Sequence, residues 1–250
     1  MAILLRRTPM RSLFSFLLLA VFLSSAAAQD EGRKIRFRTL CFAIAPGADE
    51  VTVSGDPTLD SKVTIKLGRR LDSAQHEIVV MSRKVLLGEL VINPEGKPAI
   101  EPIAVATLPS SGNQFLFFLV PTGNREGEIY RCLVLSDDSK NFPPGAFRMV
   151  NMSGTKLRFA MGEERFELPN GAIKIIDKIR GARADGRFAY VAQYKDGDAW
   201  NRLSTGFWHR HDKIRFLQIA FLDPRLQRLR MRGYNDTLPI ANAARKRREE

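Results

Sequence analysis

The chain has 250 residues, and its 44% hydrophobic and 26% charged residues are ordinary values for a globular protein, which excludes wholesale disorder. Its 39 Lys and Arg residues against 27 Asp and Glu give a formal net charge of +12. Two cysteines are too few for a disulfide-rich scaffold and cannot form a metal site by themselves. The positive surplus indicates an anionic partner, the alternative being that it serves solubility alone.

The first 28 residues, Met1–Ala28, have the three parts of a cleaved export signal. Three arginines form a positive front, the apolar run Leu13–Leu23 follows, and small residues end at Ala28 before the expected cleavage point. The apolar run is shorter than the ~20 residues of a membrane span, so a retained anchor is the weaker alternative. We therefore predict an exported protein without a membrane span after cleavage.

Export changes the expected partner. Removing the signal removes its three arginines and leaves a mature charge of 12 − 3 = +9. Nucleic acid is not an expected partner outside the cytoplasm. An envelope protein or an anionic envelope polymer is the better candidate, in the periplasm or on the surface of a bacterial cell.

Short alternating or apolar runs separated by turn-forming residues dominate the first half of the mature chain. Val63–Leu67 alternates with the period of a half-buried strand, whereas Gln114–Val120 is continuously apolar, as in a central strand covered on both faces. The runs predict eight strands: Ile35–Ile44, Glu50–Ser54, Lys62–Leu67, Glu77–Met81, Lys84–Ile92, Ile100–Leu108, Gln114–Pro121 and Ile129–Leu135.

A turn-rich segment, Ser136–Gly145, interrupts this pattern. Its Pro143-Pro144 pair cannot donate the hydrogen bonds of a β-ladder, so we place a linker at 136–145. Seven further strands are predicted: Phe147–Met152, Lys156–Met161, Arg165–Leu168, Ala172–Ile179, Arg187–Tyr194, Trp200–Trp208 and Lys213–Leu222. Many short, regularly spaced strands predict an all-β, sandwich-like fold with an N-terminal lobe at 33–135 and a C-terminal lobe at 146–224.

The end of the chain, 225–250, is predicted to be a basic C-terminal extension. Within it Arg228, Arg230 and Arg232 alternate with apolar residues, and in a strand these three arginines would share one face. They are candidate contacts for an anionic surface.

Cys41 and Cys132 could form one disulfide in an oxidising compartment, with two buried free thiols as the alternative. Tyr130 stands two residues before Cys132, and this spacing resembles part of the immunoglobulin pattern, in which a tyrosine hydroxyl pins a corner. The sequence departs from that pattern because no tryptophan lies between the two cysteines. The resemblance implies a sandwich architecture only.

One stretch near the C terminus contains both tryptophans and two of the three histidines. If residues 200–208 form a regular strand, Trp200, Arg202 and Trp208 share one face, and the opposite face, with Phe207, belongs to the core. Two tryptophans flanking an arginine could bind a sugar ring or a side chain of a partner. The alternative is that the tryptophans cover the edge of the core.

Catalytic and metal-binding signals are weak. His209 and His211 could chelate an ion, but two imidazoles without a further nitrogen or thiolate do not define a zinc site. Asp196-Gly197-Asp198 is typical of a hairpin turn rather than a calcium loop. The sequence contains no nucleophile elbow, zinc-protease helix or phosphate-binding loop, so we predict no catalytic residues, no metal and no cofactor.

Together these features predict an exported, non-catalytic binding or structural protein of the cell envelope that acts as an adaptor or assembly subunit. The alternative is an envelope-glycan-binding protein or hydrolase that uses the Trp200–Trp208 region. A fold alone does not decide between them.

Overall fold

A computed structural model describes residues 32–71, 74–124, 126–223 and 226–237. These residues form sixteen β-strands and no helix, which confirms the all-β prediction. Within these ranges there is accordingly no helix long and apolar enough to cross a membrane. The predicted export signal, Met1–Ala28, and the end of the basic extension, 238–250, lie outside the described residues.

Eight strands form the N-terminal lobe, a pair of four-stranded sheets. They are β1 (Arg33–Cys41), β2 (Glu50–Ser54), β3 (Lys62–Lys66), β4 (His76–Val80), β5 (Lys84–Ile92), β6 (Pro98–Thr107), β7 (Gln114–Pro121) and β8 (Tyr130–Ser136). The N-outer sheet has the order β3-β2-β5-β6, and the N-inner sheet has the order β4-β1-β7-β8.

The C-terminal lobe contains the other eight strands. They are β9 (Phe147–Met152), β10 (Leu157–Met161), β11 (Glu164–Leu168), β12 (Ile173–Ile176), β13 (Arg187–Asp196), β14 (Ala199–His209), β15 (Arg215–Asp223) and β16 (Arg228–Asp236). The C-inner sheet has the order β12-β9-β15-β16, and the C-outer sheet has the order β11-β10-β13-β14.

The two inner sheets are covered on both faces, and strand β7 shows why. Phe115 and Phe117 lie in the core between the two N-terminal sheets, whereas Leu116 and Phe118 lie in a separate core between the lobes. Val150 and other side chains of the C-inner sheet complete that second core. The continuous apolar run of β7 is therefore a central strand buried on both sides, as predicted.

The two lobes repeat one topology. Adding eight to each strand number of the N-terminal lobe reproduces both sheet orders of the C-terminal lobe, including the parallel pairs β1–β7 and β9–β15. The registers agree as well: Arg38 pairs with Leu116, and Arg148 pairs with Leu217. The described part of the chain is therefore a structural repeat of one eight-stranded unit, and paired strand residues of one lobe have positional equivalents in the other.

The structure corrects the boundary of the predicted extension at 225–250. Arg228–Asp236 pairs along its whole length with β15, so these residues complete the C-inner sheet. Met231 packs against the core of the C-terminal lobe. The alternating arginines are typical of a solvated segment, but here they belong to an edge strand. One face of that strand is half-buried.

The structure also corrects the predicted disulfide, because Cys41 and Cys132 are free thiols. Leu119 of the middle strand pairs with both cysteines, which places them two strands apart in the N-inner sheet. Neighbouring strands are about 4.8 Å apart, so the two Cα atoms are separated by roughly 10 Å, beyond the ~7 Å limit of a disulfide. Burial raises the pKa of the Cys41 thiol to about 12.

The resemblance to the immunoglobulin pattern is confirmed only in its architecture. Tyr130 is fully buried, and its hydroxyl accepts a hydrogen bond from the Ala45 backbone N–H at 2.6 Å. It therefore fixes a loop far away in sequence, between β1 and β2, instead of a neighbouring corner.

Candidate functional site

A β-bulge in β14 separates the two tryptophans. Ser204 and Arg202 pair with consecutive residues of β13, so Leu203 is an extra residue in the ladder. An extra residue shifts the side-chain alternation by one position. Trp200 and Trp208, which would share a face in a regular strand, consequently lie on opposite faces of the C-outer sheet.

Trp208 is half-buried and packs against the core of the C-terminal lobe. Its ring stacks on Tyr190 at a centroid distance of 3.9 Å and lies parallel to Phe147 at 5.7 Å. Phe207, which was predicted to be buried, points outward and is 57% exposed. The predicted faces are therefore reversed at this end of β14.

Trp200 lies on the outer face of the C-outer sheet, where the Arg158 guanidinium stands 4.4 Å from the centroid of its ring. The Arg158 Nε–H donates a hydrogen bond to the Gln193 side chain at 2.7 Å. Arg202 occupies the next position of the same cross-strand row, opposite Gln193. The structure thus brings Trp200 and Arg202 onto one face but adds Arg158, which the sequence did not indicate.

This outer face is strongly basic. Within the four strands of the C-outer sheet its one acidic residue is Glu167, which forms an ion pair with Lys156 at 3.0 Å. The remaining cations on the face are Arg158, Arg165, Arg187, Lys195 and Arg202. Because none of these five has an ion-pair partner among the described residues, their positive potential is directed at solvent.

A shallow depression of about 480 Å³ lies in the middle of the face. Small side chains, Ala160 and Val191, line it together with Arg158, Arg165 and Gln193, and with Glu167, which is paired with Lys156. Beyond it, the exposed Phe207 ring has the guanidinium of Arg187 5.7 Å from its centroid and that of Arg183 at 5.6 Å. Guanidinium groups therefore border an apolar centre.

The equivalent row of the N-terminal lobe has no charge. Arg158 pairs with Glu167 and Gln193, and the equivalent residue Thr52 pairs with Thr64 and Gly88. Both lobes share the bulge that identifies these positions, since β5 and β6 shift register between Leu87 and Gly88. The basic row is therefore a property of the C-terminal unit and not of the shared architecture.

The three predicted arginines of β16 have different surroundings. Arg228 lines an open groove of about 480 Å³ with Arg202 and Lys195, beside the basic face. Arg230 forms an exposed ion pair with Asp223 at 3.2 Å. Arg232 contacts the other lobe: its guanidinium lies 4.2 Å from the ring centroid of Phe42 and donates a hydrogen bond to the backbone carbonyl of Phe42.

A second polar cluster is buried between the lobes. Arg38 of β1 binds Asp137, at the end of β8, with its Nε at 2.7 Å, and binds Asp236 of β16 with its Nη2 at 2.6 Å. Arg215 of β15 donates hydrogen bonds to both carboxylates. All four side chains are at most 2% exposed. Burial disfavours the charged guanidinium, but the two carboxylates outweigh it and raise the pKa of Arg38.

A third buried arginine, Arg148, lies beside this cluster. It is the positional equivalent of Arg38, but it forms no ion pair within hydrogen-bond distance among the described residues and donates to the Ser136 carbonyl at 2.6 Å. Its guanidinium lies 4.0 Å from the ring centroid of Phe142, and burial lowers its pKa to about 10. Asp137 and Phe142 belong to the predicted linker, so this segment contributes to the interface between the lobes.

The candidate metal ligands are not brought together. Among the described residues no three His, Cys, Asp or Glu side chains are grouped so that they could hold a metal ion. His211 instead accepts a hydrogen bond from the Lys213 backbone N–H at 3.2 Å. Asp196 pairs with Ala199 across a tight turn in which Gly197 has a φ of 55°, which confirms the predicted hairpin.

One weak signal in the sequence bears on the buried arginines that the prediction missed, and none bears on Arg158. Arg38 and Arg148 follow a phenylalanine in equivalent strands, but this similarity is too short to reveal the repeat. Arg158 lies in an ordinary alternating strand, so only the pairing of β10 with β13 shows its neighbours.

No protein-family model matches the chain, and no curated protein sequence is similar to it.

Proposed function

We propose that this protein is an exported, non-catalytic adaptor or assembly subunit of the bacterial cell envelope that binds an acidic partner through its C-terminal lobe. Localisation in the periplasm or on the cell surface follows from the predicted signal Met1–Ala28. The observation that carries the proposal is the basic outer face of the C-outer sheet, whose five cations lack acidic partners among the described residues.

The distribution of charge supports this assignment to one lobe. Residues 33–136 contain 13 Lys and Arg against 11 Asp and Glu, whereas residues 147–236 contain 18 against 10. A surplus that served solubility alone would not need to be concentrated in one of two repeated units. Positive potential over one face attracts acidic partners and orients them.

The geometry favours the adaptor over the glycan-binding alternative. Binding a sugar ring by stacking needs an open aromatic face. Trp208 stacks on Tyr190 against the core, and one face of Trp200 is occupied by Arg158. These rings hold a guanidinium or fill the core, which suits recognition of carboxylate or phosphate groups.

The test is cross-linking of the tagged protein in the cells that produce it, followed by mass spectrometry. We expect to capture one or two defined, acidic envelope proteins. We also expect their yield to fall when the complex is allowed to form only above about 0.5 M salt, because screening there shortens the range of electrostatic attraction to roughly 4 Å. Capture of an envelope glycan without any protein would contradict the proposal. So would a complex that is insensitive to salt.

A further inference from the structure

We infer that the outer face of the C-outer sheet is a docking surface for an extended acidic segment of a protein partner, with one apolar side chain of that segment seated beside Phe207. This inference rests on the proposed function and names the site and the chemistry of its ligand.

Two cations of this face, Arg158 and Arg187, lie against aromatic rings before a ligand binds. Arg158 lies over the Trp200 ring and donates its Nε–H to Gln193, and its terminal nitrogens have no hydrogen-bond partner among the described residues. Arg187 is similarly placed near the ring of Phe207. A guanidinium fixed by an aromatic ring loses less side-chain freedom when it binds a carboxylate, which favours affinity.

The apolar centre indicates a peptide in preference to a polyanionic glycan. Phe207 is 57% exposed, and Val191 and Ala160 line the neighbouring depression. Exposed apolar surface between cations matches a segment in which acidic residues alternate with an apolar one. A uniformly charged glycan would leave the Phe207 ring uncovered.

The N-terminal lobe provides an internal comparison. Its equivalent row contains Thr64, Thr52, Gly88 and Pro102, which are uncharged. The N-outer sheet does carry exposed lysines, Lys62 and Lys66, on its edge strand β3. Reversing those two lysines changes net charge by the same amount as reversing two arginines of the basic face, so it controls for net charge.

The experiment measures binding of fluorescein-labelled peptides to the full mature chain, residues 29–250, by anisotropy at low salt. The first peptide alternates Asp and Glu with Ser around one central Leu, and the second has Ser in place of Leu. We expect the Leu peptide to bind more tightly. We expect Arg158→Glu combined with Arg202→Glu to weaken it about tenfold, as two lost ion pairs would, and Lys62→Glu combined with Lys66→Glu to change it less than twofold.

Two further measurements make the inference specific. Phe207→Ser should abolish the advantage of the Leu peptide while leaving the all-polar peptide unaffected. Polygalacturonate, the anionic glycan probe, should compete poorly at equal charge concentration. Equal weakening by both double variants would overturn the inference, because it would show a net-charge effect. So would preference for polygalacturonate, or an unchanged Leu advantage in Phe207→Ser.

The outcome is separable from that of the proposed function. If cross-linking still captures the same acidic protein from cells producing the Arg158→Glu, Arg202→Glu variant, the docking surface is wrong and the adaptor function stands. If no protein is captured by the unmodified chain, the adaptor function is wrong. Circular dichroism of both double variants checks that all four substitutions, which lie at exposed or half-buried strand positions, leave the fold intact.

Discussion

Arg38 and Asp236 are 198 residues apart in the sequence, yet the Arg38 Nη2 lies 2.6 Å from an Asp236 carboxylate oxygen, and both side chains are buried between the lobes. Asp137, the positional equivalent of Asp236, binds the same guanidinium. A single side chain from the first strand thus binds the end of the last strand of each repeat. This arrangement connects the two lobes to each other and also joins the first strand of the N-terminal lobe to the end of its last strand.

Removing that guanidinium should destabilise the whole protein. In Arg38→Met both carboxylates stay buried but lose the guanidinium that hydrogen-bonds to each of them, and breaking a buried pair in this way costs about 3–5 kcal/mol. Urea unfolding followed by circular dichroism measures the loss. The matched control is Glu77→Gln, which breaks the exposed ion pairs of Glu77 with Lys34 and Arg36 and should cost at most about 1 kcal/mol. Similar losses in both variants would contradict the role of the buried cluster.

Neighbouring aromatic residues of β14 should behave oppositely. Trp208→Ala removes a ring that stacks on Tyr190 within the core, and we expect a loss of about 3 kcal/mol in the free energy of unfolding. Phe207→Ala removes an exposed ring and should change stability by less than about 0.5 kcal/mol. Thermal unfolding of the two variants compares them. A larger loss for Phe207→Ala than for Trp208→Ala would contradict the β-bulge and indicate a regular strand with Phe207 in the core.

Both cysteines should be thiols in the purified protein. Denatured, unreduced protein should therefore react with two equivalents of iodoacetamide, visible as two added adducts by intact mass. The folded protein should react far more slowly, since Cys41 is fully buried and burial raises the pKa values of both thiols. A denatured mass without adducts would demonstrate the disulfide that the register of β1, β7 and β8 excludes.

Burial of Cys41 predicts a particular pH dependence of stability. Its pKa is raised from 9.0 to about 12 in the folded protein. Above pH 9 the unfolded thiol therefore loses its proton while the folded thiol keeps it, so stability present below pH 9 falls as the pH rises. Between pH 9 and 10 this thiol contributes a decrease of roughly 1 kcal/mol.

The measurement is urea unfolding at both pH values for the natural chain and for Cys41→Ala. The variant loses stability at every pH because of the cavity, so the comparison uses only the change between pH 9 and 10. That change should be smaller in the variant by about the same 1 kcal/mol. An identical change in both proteins would show that the thiol does not titrate differently on unfolding.

Local patterns in the sequence were sufficient to predict the fold class and most strands. The alternation in Val63–Leu67 and the apolar run Gln114–Val120 each correspond to an observed strand with the expected burial. The bulge at Leu203 could not be predicted, because one extra residue leaves no signature in a run that contains both polar and apolar side chains. Its consequence is large, since it places Trp200 and Trp208 on opposite faces.

The candidate site could be predicted only in part, for a related reason. Trp200 and Arg202 lie close together in the chain, so their shared face followed from strand geometry. Arg158 lies near them because β10 pairs with β13 and β13 pairs with β14, and this order of strands is set by the packing of the whole lobe. The ion cluster of Arg38 and Asp236 likewise depends on the repeat, in which the pairing partners are far apart in sequence.

The most direct test of the central claim is site-specific photo-cross-linking in living cells. A photoreactive amino acid replaces Thr205, which is exposed on the basic face beside Val191, or Thr64, which is exposed on the uncharged row of the N-outer sheet. We predict a defined adduct with one acidic protein from position 205 and none from position 64. Equal adducts from both positions, or an adduct from position 64 alone, would contradict the assignment of binding to the C-terminal lobe.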